Sequence, residues 1–168
     1  DDWFAQAVAY VSSEGLMSGE STNTFAPNAS MTRGMLATVL YRLAGQPETT
    51  AQTAFADVTA GAYYADAVAW AAEQSVIAGT SDTAFSPEQA ITREQLAAML
   101  YRYAGSPATE GSLSAYTDAA QVSAYAEDAL CWCVENGILT GTSTDTLSPQ
   151  ATATRAEVAA VLQRMNQA

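Results

Sequence analysis

Three stretches of the chain carry apolar residues at three-and-four spacing on a more polar ground: Leu36, Val39, Leu40 and Leu43; Leu96, Met99, Leu100 and Tyr103; Val158, Val161, Leu162 and Met165. That period places each set on one helix face and predicts three amphipathic helices with matching inward stripes. Each is preceded by a second helical pattern. In YYADAVAWAAEQSV, Tyr63, Ala67, Val68, Trp70 and Ala71 fall at helical spacing, and Gly79 is read as the exit. Between the two lies GTSDTAFSPEQA, a turn-rich stretch whose one large apolar residue, Phe85, is placed to pin the loop to the core.

The pattern occurs three times. Tyr10, Trp70 and Trp132 align, as do Gly19, Gly79 and Gly141, then Phe25, Phe85 and Leu147, then Pro27, Pro87 and Pro149. A two-helix unit of this size cannot bury its apolar face alone, so the copies should pack on one another. The expected fold is mainly α, with three tandem helix-loop-helix units spanning 1–46, 47–107 and 108–168. The linkers AGQPETTAQTAF and AGSPATEGSLSAY open with a glycine that can end a helix and a proline that cannot continue one. Two packings fit the pattern, a ring around a pseudo-threefold axis and an open solenoid row.

Composition narrows the partners. Eighteen acidic residues against six arginines, with no lysine or histidine, give a net charge of -12 over 168 residues. Such a field repels nucleic acid and anionic membranes at long range. No run is long enough for a membrane-spanning helix, and the opening DDWFAQAV lacks the order of a secretion signal. Cys131 and Cys133 flank Trp132 on a predicted helix, where residues two apart diverge, so they read as small apolar side chains rather than a disulfide. Without histidine, and without the clustered acids of a calcium loop, no metal site or cofactor is expected.

The placement of arginine is the informative feature. Arg33, Arg93 and Arg155 each follow a threonine, Thr32, Thr92 or Thr154, at a predicted helix start. Thr92 with Gln95 and Thr154 with Glu157 fit a capping box, whereas Thr32 is followed by Met35 and has half of one. Capping explains the threonine. It does not explain a cation at the positive end of a helix. Either an internal acid compensates it, or an external anion is held there by the guanidinium and free backbone N–H groups. The second arginine of each unit, Arg42, Arg102 or Arg164, lies nine residues on, half a turn past two turns, and is expected on the opposite face in a packing role. Each first helix also has an aromatic near its start, Trp3, Tyr63 or Tyr125, readable as core or as a stacking surface for a sugar ring.

Taken in order, FADV, AVAWA, GTS, FSP and ITREQ resemble the S-layer homology module, which occurs as three tandem copies in bacterial surface proteins. The likeness runs copy by copy over nearly the whole chain. The resemblance implies a three-pronged arrangement around a central helical bundle, with grooves between neighbouring copies. It also implies an extracellular, non-catalytic role at the cell wall. The implied partner is an anionic secondary cell-wall polysaccharide, often ending in N-acetylmannosamine with a pyruvate ketal, whose free carboxylate would be the anion sought. The groove set implied is Arg33, Arg93, Arg155, Thr32, Thr92, Thr154, Trp3, Tyr63, Tyr125, Gly19, Gly79 and Gly141. Pairing each arginine with the aromatic of the next copy gives Arg33 with Tyr63, Arg93 with Tyr125 and Arg155 with Trp3.

Two departures stand out. The family's T-R-A-E signature is complete at Thr154 to Glu157, carries Glu94 in the alanine place of the second copy, and keeps only Thr32 and Arg33 in the first. Counting back from Phe55, the opening segment of the first copy falls about five residues before Asp1. The alternative function is a protein-interaction or self-assembly module, with other surface-layer proteins as partners. Catalysis is disfavoured, because no acid recurs beside the arginine in all three copies and no nucleophile or phosphate-loop motif is present. If the arginines serve a ligand, changing Arg33 and Arg93 to alanine should reduce retention on cell walls and leave unfolding nearly unchanged.

Overall fold

The computed structural model describes residues 2–167. It contains helices α1 (Ala5–Ser13), α2 (Arg33–Leu43), α3 (Ala65–Glu73), α4 (Arg93–Tyr103), α5 (Glu127–Glu135) and α6 (Arg155–Gln167). Two short 3-10 turns, Ala119–Gln121 and Ala124–Ala126, precede α5. Among the described residues, extended pairing is confined to isolated bridges, so the chain is mainly α.

The second helix of each copy starts where its threonine predicts. Thr32 accepts from the Met35 N–H at 3.1 Å. Thr92 and Gln95 form the full box, as do Thr154 and Glu157. The first helices end differently from expectation. Their exits are Gly15, Ser75 and Gly137, all left-handed at φ 66°, 58° and 65°. Gly19, Gly79 and Gly141 lie four residues further on, inside the loop. A Cβ there would come within 2.6 Å of the carbonyl oxygens of Thr24, Ala84 and Thr146, so it is close backbone approach that selects glycine.

Helix pairing runs between copies. α3 packs on α2, α5 on α4 and α1 on α6, so each first helix lies against the second helix of the preceding copy. The α1–α6 contact joins the last copy to the first and rules out an open row. Trp70 on α3 meets Tyr41 on α2 at 5.5 Å between ring centroids, and Trp132 on α5 meets Tyr101 on α4 at 5.8 Å. The inward stripes are buried as the periodicity predicts over their first three positions, with Leu36, Leu40, Leu96, Leu100 and Val158 almost fully enclosed, while Leu43, Tyr103 and Met165 are half-buried against the core. Cys131 and Cys133 are both free and buried among them.

Just ahead of the second helices, the backbone closes a cycle. Met31 N donates to Ala153 O at 2.9 Å, Ala153 N to Ile91 O at 2.9 Å, and Ile91 N to Met31 O at 2.8 Å. Each segment supplies one donor and one acceptor, so three copies satisfy one another in this cycle and none of these buried groups is left unpaired. Tyr63 departs from the helical reading: it precedes α3 and is 60% exposed, so it is not part of the inward set.

Candidate functional site

The first arginine of each copy is an inter-copy latch. Arg33 Nε donates to Phe85 O at 2.8 Å, and Nη2 to Ala78 O at 2.9 Å, both in the loop region of the second copy. Arg93 reaches Leu147 O at 2.8 Å and Thr140 O at 2.6 Å in the third. Arg155 reaches Phe25 O at 2.9 Å and Ser18 O at 2.5 Å in the first. The three residues are only 5%, 6% and 6% exposed. Burial holds each guanidinium below the ordinary arginine range, though an arginine this far from neutral pH stays cationic. Arg33 and Arg155 also stand 4.6 Å from the rings of Phe85 and Phe25.

This corrects the expectation that the helix start offers open N–H groups to an anion. Arg33 N bonds Gln89 O and Gly34 N bonds Pro87 O; Arg93 N and Glu94 N bond Ala151 O and Pro149 O; Arg155 N and Ala156 N bond Ala29 O and Pro27 O. With the threonine hydroxyl taking the third N–H, three donors of each helix start are occupied by protein, and the threonine's own N–H is bonded by Gln95 in the second copy and Glu157 in the third. The compensation for a cation at the positive helix end is neither acid nor ligand in the first instance. It is a cluster of carbonyl dipoles from the neighbouring loop. An internal acid takes part once, where Glu157 Oε1 lies 3.4 Å from Arg93 Nη1.

Each arginine nonetheless reaches a cavity. The one at Arg33 measures 540 Å³ and is lined by Arg33, Gly79, Thr80, Gln89, Gln95, Met99, Arg102 and Tyr125 among others. That at Arg93 measures 390 Å³, with Gly141, Thr142, Glu157, Arg164 and Trp3 in its lining. That at Arg155 measures 100 Å³ and includes Ser18, Met17, Met31, Met35, Arg42 and Tyr63. A cavity therefore draws its latch arginine from one copy, its floor from the next, and its aromatic from the one after. The expected pairs are displaced by one copy: Arg33 shares a cavity with Tyr125, Arg93 with Trp3, and Arg155 with Tyr63. Trp3, Tyr63 and Tyr125 are 67%, 60% and 52% exposed, which excludes the core reading of these aromatics. Gly79 and Gly141 line two of the cavities; Thr32, Thr92 and Thr154 act as helix caps.

The second arginine is the residue the sequence reading set aside. The half turn separating Arg93 from Arg102 does place them on opposite faces of α4, but each face borders a different cavity. Arg42 Nη1 donates to Leu16 O at 3.2 Å, and Arg164 Nη1 to Ile138 O at 3.5 Å. The Arg102 guanidinium, which lines the Arg33 cavity, has no hydrogen-bond partner among the described residues. Beside it, the capping box turns Gln95 Oε1 toward Thr92 N at 3.2 Å, leaving the amide Nε2 to face outward. In the next cavity the equivalent Glu157 uses Oε2 for the cap at 2.7 Å and Oε1 for Arg93. The Arg33 cavity thus gathers uncommitted donors and no acidic side chain in its lining, while the Arg93 cavity carries its own carboxylate.

The loops that accept the arginines are themselves clamped. Asp57 Oδ1 and Oδ2 accept from Phe85 N at 2.9 Å and Ser86 N at 2.7 Å. Asp118 accepts from Leu147 N at 2.9 Å and Ser148 N at 2.7 Å. In the first copy, the equivalent N–H groups of Phe25 and Ala26 have no acceptor among the described residues.

Comparison with known proteins places this arrangement. Residues 1–34, 54–97 and 115–159 match the S-layer homology domain. The chain is 32% identical over 165 residues to the surface-layer 125 kDa protein of Lysinibacillus sphaericus, covering 95% of this chain and 14% of that protein. It is 28% identical over 167 residues to an S-layer protein of Bacillus thuringiensis subsp. finitimus, covering 95% of this chain and 20% of that one. An amylopullulanase of Thermoanaerobacterium thermosulfurigenes is 28% identical over 171 residues, 96% of this chain and 9% of the enzyme. The chain therefore spans a small fraction of each relative, and the match to the enzyme lies in the region these proteins share with S-layer proteins. With a match in each of its three copies, the chain belongs to the S-layer homology domain family, whose members are non-catalytic modules that anchor proteins at the bacterial cell wall.

Proposed function

We propose that this chain anchors its parent protein to an acidic secondary cell-wall polysaccharide, and that the cavity at Arg33 receives a terminal sugar bearing a carboxylate, with pyruvylated N-acetylmannosamine as the preferred form. The observation that carries the reading is the unpartnered Arg102 guanidinium, beside Arg33 Nη1 and the outward amide of Gln95, in a cavity whose lining contains no acid. Converging donors without an acidic side chain among them favour an external anion, and a guanidinium suits a carboxylate in both charge and shape. Tyr125 at the rim adds a ring on which a pyranose face can stack. The net charge of -12 opposes an anionic polymer at a distance, so retention depends on these short-range contacts.

The test is retention on purified cell-wall sacculi before and after chemical removal of the polysaccharide or of its ketal. Arg102→Ala should weaken retention by about tenfold or more, the effect of losing a charge-assisted pair. Its unfolding should change by less than about 1 kcal/mol, because only the side-chain stem packs on protein. Retention that survives both ketal removal and Arg102→Ala would reject the glycan reading in favour of a protein partner.

A further inference from the structure

One acid contacts the aromatic wall of the Arg33 cavity from behind. Glu94 is 3% exposed and occupies a position held by Gly34 and Ala156 in the other copies. Its Oε2 accepts from Ser123 N at 2.9 Å, and its Oε1 accepts from Ser123 Oγ at 2.7 Å and from Tyr125 Oη at 3.2 Å. The exchange of volume across the junction explains why an acid fits only here. Where Gly34 stands, a Cβ would come within 3.1 Å of the Tyr64 ring, which fills the space. The residue aligned with Tyr64 in the third copy is Ala126, and the Glu94 side chain has the room a large ring would take.

We propose that Glu94 is a positioning residue for saccharide recognition, holding Ser123 and Tyr125 so that the Tyr125 ring stands as a fixed wall of the cavity lined by Arg33 and Arg102. The proposal rests on the anchoring reading above and adds a chemical specificity to it. The phenol has one proton and donates it to Glu94, so toward the cavity Tyr125 offers a ring face and an acceptor but no donor. This wall favours an apolar sugar face or a hydroxyl that donates, and disfavours a second carboxylate. Burial, followed by the Glu94 charge and bond, pushes the Tyr125 phenol up to about 12, so it remains a donor throughout the neutral range. Tyr63 and Trp3, which follow Gly34 and Ala156 around the ring of copies, have no carboxylate at that position behind them. Preorganising an exposed ring removes an ordering cost that binding would otherwise bear.

The measurement is calorimetric titration of the full chain with the methyl glycoside of pyruvate-ketal N-acetylmannosamine, alongside thermal unfolding. Glu94→Gln retains the volume but has one amide oxygen where the carboxylate has two; Tyr125→Phe removes only the hydroxyl. Each should weaken affinity about five- to tenfold, and the double variant should weaken it no further than the worse single change. Tyr125→Phe should leave the unfolding temperature nearly unchanged, so its loss of affinity is readable even if Glu94→Gln folds poorly. Wild-type binding with Tyr125→Phe equal to wild type, or losses that multiply in the double variant, would overturn the positioning role alone. No wild-type binding would overturn the anchoring reading and this inference with it.

Discussion

The cavities at Arg33 and Arg93 are assembled from equivalent parts of different copies, yet their charge diverges at the capping residue, Gln95 in one and Glu157 in the other. Both have a latch arginine bound to two loop carbonyls, a second arginine nine residues along the next helix, and an exposed aromatic at the rim. In the first, the capping residue presents an amide N–H₂ to the arginine. In the second it presents a carboxylate oxygen 3.4 Å from Nη1. The latch is common to all three junctions because the fold requires it. The second contact varies because the fold tolerates either group, since Gln95 and Glu157 both close the capping box. Within a single side chain, Nε and Nη2 of Arg33 hold the neighbouring loop, and Nη1 has no partner among the described residues.

The largest expected effect breaks what the two cavities share. Arg33→Ala should destabilise the chain by about 3 kcal/mol, since it leaves the carbonyls of Phe85 and Ala78 without their charged donor in a buried setting. For a domain of this size that is a fall of roughly 6–12 °C in the unfolding temperature. The outcome is opposite to what a ligand-only arginine predicts, and calorimetry separates the two directly. An unchanged unfolding temperature would return Arg33 to the role read from sequence.

The next effect exchanges what differs. Gln95→Glu should place a carboxylate in the Arg33 cavity and weaken glycan affinity by about tenfold, through repulsion of the ligand and neutralisation of the guanidinium. Glu157→Gln should free Arg93 Nη1 and add a second, weaker binding event to the titration. Each residue already caps its helix in the other copy, and the Arg93 contact with half-buried Glu157 is long at 3.4 Å while both loop carbonyls keep their Arg93 bonds, so folding should survive both exchanges. If affinity and stoichiometry stay fixed in both variants, the capping residue has no part in recognition.

Much of this organisation is legible in the sequence and some of it is not, for identifiable reasons. The helices, their caps and the threefold repetition are local or periodic properties, and Thr92, Gln95, Leu96 and Leu100 announce them. The role of Arg33 is not local. Its partners are backbone carbonyls in a loop 45 and 52 residues away, and a carbonyl has no side-chain signature. Treating the helix as isolated made its positive end appear to demand an anion, when the adjoining loop supplies the dipoles. Arg102 lies on the face that the half-turn spacing predicts, and that face borders a cavity because a helix in a closed ring has one on each side. The aromatic pairing slipped by one copy because each cavity spans three copies and not two. Glu94 was visible as a departure from the repeated signature; its meaning required knowing that Ala126 leaves it space.

The smallest expected effect concerns the clamp behind the Arg33 cavity, which the Arg93 cavity has in equivalent form. The N–H of Phe85, with that of Ser86, holds the Asp57 carboxyl below the ordinary aspartate value of 3.8, outweighing the opposing effect of burial. A folded-state value below the unfolded one means that the carboxylate stabilises the chain fully above the unfolded value. That contribution is lost as pH falls through the lower, folded value. Asp57→Asn should remove this part of the acid sensitivity and lower stability at neutral pH by about 1 kcal/mol, discounted for the exposure of the carboxylate. It should also make the second loop resemble the first, where Phe25 is half-buried and its N–H has no acceptor among the described residues. Because Asp118 still clamps Leu147 and Ser148, the Arg93 junction should be unaffected. Hydrogen exchange at Phe85 and Ser86 would then accelerate while Leu147 and Ser148 keep their protection, and equal acceleration at both would mean that the two loops open as one unit.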